Sequence, residues 1–156
     1  MDHGFWLAHA LRGSRVEHKV RSVYELSPDT AGMFDVVFCG SLLMHLHNPL
    51  GAVINICSVT AGMAVIATLL SEEIEATAPD KPWISFGQRG PDLDPAVHPH
   101  NPQLGASAVY WHVNTRALQE LMEYAGFGDT QGLEPVPLAP SSNSLAVVVG
   151  HPDTAG

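Results

Sequence analysis

Residues 34–49 read FDVVFCGSLLMHLHNP, and the fold turns on how these sixteen positions are divided. Val36, Val37 and Phe38 form an apolar, β-branched and aromatic run between Asp35 and Gly40, which reads as a strand over 35–40 buried on both faces. Asn48 offers a helix N-cap and Pro49 the favoured first helical residue. Leu50, Val53, Ile54 and Cys57 then recur at i, i+3, i+4 and i+7, the stripe of a helix laid on a sheet from Pro49 to about Val59. Strand, loop and helix make half of a βαβ unit. In open parallel sheets ligands bind at the carboxyl edge, so the loop from Cys39 to His47 is where function is expected.

Outward from this segment the chain opens on a helix at 4–12 with Leu7, Ala8 and Leu11 on one face, Asp2 as cap and Gly13 as stop. Val16 to Val23 alternates apolar and polar residues as a strand does, and Ser27-Pro28-Asp29 reads as a turn. GMAVIATLL at 62–70 is a second continuous apolar strand. Residues 71–109 hold six of the twelve prolines and no sustained period, so they form a long excursion with at most short local structure. Asn114 or Thr115 caps a helix whose Leu118, Leu121, Met122 and Ala125 face the core, and Gly126 ends it with Phe127 folding back. Strands at 129–137 and 144–149 follow, joined through PVPLAPSSNS by a hairpin-type connection.

The composition bounds the function. One domain of 156 residues with 46% hydrophobic content and a mean hydropathy of +0.09 can bury a real core. Only 15% of residues are charged, which suggests more covered surface than so short a chain usually has. Seven basic against sixteen acidic residues give a net charge of −9, which disfavours nucleic acid and anionic membrane as partners and favours a small or cationic ligand. Cys39 and Cys57 lie in apolar segments without CxxC or zinc spacing and read as buried reduced thiols of a cytoplasmic protein. No apolar run is long enough to span a membrane, and the first residues lack the pattern of a secretion signal. His98 and His100 with Asp92 and Asp94 sit in a proline-rich loop without ligand geometry, so no metal is assigned.

With these pieces in order, the chain resembles the carboxyl-terminal two-thirds of a class I, Rossmann-like S-adenosylmethionine-dependent methyltransferase. The resemblance rests on RVEHKVRSVYEL at 15–26, FDVVFCGSLLMHLHNP at 34–49, GMAVIATLL at 62–70 and NTRALQELMEYAGF at 114–127. It is similar in particular to bacterial members related to tRNA wobble-uridine modifying enzymes. The resemblance implies an α/β fold: a partial methyltransferase sheet of strands three to seven, mostly parallel with an antiparallel last strand at Leu145 to Val149, and flanking helices. It implies S-adenosyl-L-methionine as cofactor and transfer of its methyl group to a small-molecule or modified-nucleoside substrate.

By the same resemblance Ser22, Val23 and Tyr24 fall where the family holds the adenine ring, and Cys39, Gly40, Ser41 and Leu42 where the fourth strand closes over the cofactor. His45 and the Tyr110-Trp111 pair face the substrate side; His45, in the loop at the strand's carboxyl edge, is the candidate base for a protonated acceptor, the alternative being a loop-capping or packing histidine. Two family features have no counterpart here: the glycine-rich GxGxG turn after the first strand, and the acidic residue that holds the ribose. Ser22 stands where many members carry Asp. These departures imply a truncated or late-starting methyltransferase-like domain over 1–156. The alternative is a degenerate, non-catalytic domain that binds a protein partner, or a second copy, through its open sheet edge.

Overall fold

The computed structural model describes residues 3–86, 109–138 and 143–153. In chain order the elements are α1 (His3–Arg12), a 3-10 turn at Val23–Glu25, α2 (Pro28–Ala31), β1 (Phe34–Gly40), a 3-10 turn at Leu43–His45, α3 (Pro49–Ser58), β2 (Thr60–Leu69), α4 (Glu72–Thr77), β3 (Ile84–Phe86), β4 (Trp111–Val113), α5 (Thr115–Tyr124), β5 (Phe127–Pro137) and β6 (Ser144–Pro152). The main sheet has the order β1-β2-β6-β5, and β3 pairs with β4 in a separate two-stranded sheet. β1 runs parallel to β2, while β6 is antiparallel to both β2 and β5. An α/β fold with an antiparallel last strand is what the resemblance implies.

The reasons are local. Asn48 Oδ1 accepts from Gly51 N at 2.9 Å and Pro49 opens α3, so the chain leaving β1 turns at once into the crossover helix that a parallel neighbour requires. Gly62 lies so close to the Asp35 carbonyl that any Cβ there would strike backbone, which fixes where β2 enters alongside β1. Gly126 ends α5 with φ +107, a conformation L side chains rarely adopt, and Phe127 returns into the core at 1% exposure. One cluster unites Ala52, Val53 and Ile56 of α3, Leu118 and Met122 of α5, and Ala64, Ile66, Ala146 and Val148 of the central strands. Complete burial of Leu118 and Met122 contributes about 1.5–3 kcal/mol each.

Four expectations are corrected. Residues 16–23 form no strand: they run without a ladder partner among the described residues and end in the turn at Val23–Glu25, because alternation makes a strand only where an edge receives it. Ser27-Pro28-Asp29 opens a one-turn helix, closed by a reciprocal Ser27–Thr30 capping box. β1 is buried on one face only: Cys39 is inside and Val37 packs on the core, whereas Phe34, Val36 and Phe38 are 45%, 57% and 72% exposed. The face of α3 is rotated, with Ala52, Val53 and Ile56 buried while Leu50 and Ile54 are largely exposed; a helix apolar around most of its girth does not declare its inner side by spacing. Helix α1 buries no residue, and its Phe5 and Trp6 instead pack their rings on both His9 and His18. The excursion carries α4 and β3; His98, His100, Asp92, Asp94 and the Asp2 cap lie outside the described residues. No described helix is long and apolar enough to cross a membrane.

Candidate functional site

Along β1 as far as its carboxyl end an apolar-walled cleft of about 730 Å³ opens beside the edge of the strand that carries no ladder among the described residues. Val37, Phe38, Cys39 and Gly40 of β1 form one wall, Leu42 and Leu46 the next, and Ser22, Val23 and Tyr24 the facing side, with Lys19 and Arg21 also lining it. Six of the seven residues aligned with the family's cofactor site therefore share one cavity. The seventh, Ser41, does not line it. Its φ of +54 is the one positive value at a non-glycine residue among the described ones. Ser41 N donates to Ala67 O at 2.9 Å, so this turn is where the chain leaves β1 while still tied to β2.

The facing side is held by hydrogen bonds from α3. Tyr24 Oη accepts from Asn48 N at 3.1 Å, and Asn55 Nδ2 donates to Val23 O at 3.2 Å. Ser22 Oγ accepts from Tyr24 N at 3.3 Å and keeps its own hydroxyl proton to donate. Asn55 was not singled out in the sequence, although a signal existed. It is the one polar side chain between Pro49 and Cys57, a helix interior where asparagine is disfavoured unless a tertiary partner holds it.

Burial raises the Cys39 thiol to about 11, so it is protonated at neutral pH and acts as a wall rather than a nucleophile. Burial also raises Cys57, with the Asp153 carboxylate adding to it. Neither cysteine is in a disulfide. The walls suit a flat apolar group such as a purine, and the Ser22 hydroxyl can meet one of its nitrogens. Among the described residues no carboxylate lines the cleft to pair with a ribose diol.

His45 closes the 3-10 turn through its N–H to Leu42 O at 3.0 Å. It is exposed and lies outside the cleft lining. Tyr110 and Trp111 stand behind the same turn: Tyr110 N donates to Met44 O and Trp111 Nε1 to Leu46 O, both at 2.7 Å. The turn at 43–46 thus separates the cleft from an aromatic group. A second hollow of about 490 Å³, between α5 and β5, is lined by Glu75, Asp80, Arg116 and Glu134. It lies away from the carboxyl edge of β1, and its Arg116 is paired with Glu120.

No protein-family model and no curated protein matches the chain. Solved structures do. The N-terminal domain of EvdMO1, crystallised with SAH and D-fucose, matches 94% of this chain and 60% of its own at 23% identity and a TM-score of 0.58. The 1,6-didemethyltoxoflavin-N1-methyltransferase of Burkholderia thailandensis, with bound 1,6-didemethyltoxoflavin and S-adenosylhomocysteine, matches 94% of this chain and 56% of its own at 21% identity and a TM-score of 0.60. An O-methyltransferase family protein from Burkholderia thailandensis covers 96% of this chain and 39% of its own at 16% identity, with a TM-score of 0.57. At these identities the likeness is one of fold, that of Rossmann-like methyltransferases. The chain spans about three-fifths of the length of the first of them.

Proposed function

We propose that this chain takes part in S-adenosylmethionine-dependent methyl transfer to a small acceptor, with the cleft beside β1 as the cofactor's adenine site. The observation that carries the reading is the coincidence in one cavity of Ser22, Val23 and Tyr24 with Cys39, Gly40 and Leu42, two segments separated in sequence by α2, at the ligand-binding edge of the sheet. The fold's occurrence in proteins crystallised with S-adenosylhomocysteine supports it.

When bound, the cofactor supplies an electrophilic methyl group on a sulfonium whose departing thioether is neutral. The work left to the protein is alignment of the acceptor in a dry pocket. Val37, Phe38, Leu42 and Leu46 offer an apolar wall from which a seated ring would displace water. Ser22, Val23 and Tyr24 position the ring, pinned by Asn48 and Asn55. Where the acceptor arrives protonated, His45 is the side chain assigned to take its proton. A nucleoside acceptor, as in wobble-uridine enzymes, is compatible with a net charge of −9, which works against a whole tRNA.

Isothermal titration of the 156-residue chain with S-adenosylhomocysteine tests the reading. Saturable heat is expected; no heat at millimolar ligand removes this chain as a cofactor-binding unit. His45→Gln is expected to leave that titration unchanged and to slow transfer to a protonated acceptor only.

A further inference from the structure

His47, Phe86 and Tyr110 form an aromatic group beside the turn at 43–46. β3 and β4 set Phe86 opposite Trp111, and their rings meet edge to face at 5.2 Å and 84°. Tyr110 lies 6.1 Å from Phe86 and 5.0 Å from His47, tilted by 49° and 48° respectively. Neither ring lies flat on Tyr110, so the group does not consume its π-faces in mutual stacking. Phe86 is 66% exposed, an unusual position for a phenylalanine whose role is packing. Trp111 is different: its indole N–H is committed to Leu46 O, which makes it the post that holds the group against the turn.

Position supplies the function. Leu42 and Leu46 line the cofactor cleft, and the backbone carbonyls of Met44 and Leu46 hold Tyr110 and Trp111. A single turn of chain therefore stands between the two, so a ring resting on Tyr110 is a close neighbour of whatever fills the cleft. We propose that His47, Phe86 and Tyr110 are the stacking platform for the methyl acceptor, and that the acceptor is a small planar aromatic or heteroaromatic molecule. This rests on the methyl-transfer reading and names its substrate class. Aromatic faces discriminate flat π-systems from saturated rings of equal apolar area, because the saturated ring has no quadrupole to offset-stack.

Calorimetric titration of the whole chain with 2-naphthol and with decahydro-2-naphthol tests the platform, with S-adenosylhomocysteine titrated in parallel. The naphthol is expected to bind at least about fivefold more tightly than its saturated analogue. Phe86→Leu and Tyr110→Leu are each expected to weaken it by about five- to tenfold while leaving S-adenosylhomocysteine affinity unchanged. Equal affinity for the two alcohols overturns the proposal on the unaltered protein, whatever the variants do. Binding of S-adenosylhomocysteine without binding of naphthol overturns the platform and leaves methyl transfer standing. Binding of naphthol with the expected pattern but none of S-adenosylhomocysteine overturns the acceptor role through failure of the cofactor reading.

Discussion

Cys39 shows how one buried group links the cleft to the behaviour of the whole fold. Its thiol is 7% exposed and desolvation lifts it from 9.0 to about 11. Below pH 9 the thiol is neutral in both folded and unfolded chains and adds no pH dependence. Between about 9 and 11 the unfolded chain loses the proton and the folded one keeps it, so stability falls with rising pH by up to about 1.4 kcal/mol per unit, and above that window the loss levels off. Burial gives Cys57 the same direction. Tyrosines and lysines titrate in this range too, so the measurement is a difference: urea unfolding from pH 8 to 11 for the natural chain and for Cys39→Val. The variant is expected to lose less stability over the window, and parallel curves would show that Cys39 is not the buried acid. The raised pKa also explains why a cysteine beside the cleft is no nucleophile, in keeping with its place in an apolar segment.

Among the elements, α5 owes its start to Asn114, which is wholly buried and spends its entire amide. Oδ1 accepts from Ala117 N and Trp83 N at 3.0 Å, while Nδ2 donates to Lys81 O at 2.7 Å and Ala78 O at 3.3 Å. One side chain thus caps a helix and ties down the loop that leads into β3 and Phe86. Asn114→Ala is expected to cost about 3 kcal/mol, since it removes a cap and leaves buried backbone groups unpaired. Asn114→Ser keeps an oxygen for the cap, loses the loop anchor and is expected to fall between. Chemical denaturation orders the three, and a serine variant as stable as the natural chain would mean that the loop bonds contribute nothing. Half of this was legible: asparagine before a periodic apolar helix reads as a cap. The other half was not, because nothing local in 78–83 announces that its carbonyls need a distant amide. The same contrast holds at α3, where Asn48 and Pro49 gave the start correctly and the uniformly apolar body concealed which face turns inward.

For the molecule as a whole, alternation over 16–23 announced a strand that does not form, but the strands of the main sheet and helices α3 and α5 were readable because each apolar run is bounded by a cap, a glycine or a proline. Burial was not, because a run such as Val36-Val37-Phe38 reads the same whether one face of the sheet is covered or two. β1 is the place where this matters. Among the described residues it has a ladder on one side only, and Phe34, Val36 and Phe38 lie exposed along it. Its sole charged residue is Asp35, and no proline blunts it. An apolar strand with a single charge and one edge outside any ladder among the described residues is a template for another strand, and natural sheets avoid leaving one uncovered. The isolated chain is therefore expected to self-associate, its weight-average mass rising with concentration in static light scattering. Val36→Lys places a charge on this strand at a residue paired with Met63 that does not line the cleft. It is expected to flatten that rise while changing S-adenosylhomocysteine affinity by less than about twofold. A natural chain that stays monomeric across the concentration range would show that the exposed strand does not pair, and a Val36→Lys chain that associates as strongly would move the contact elsewhere on the surface.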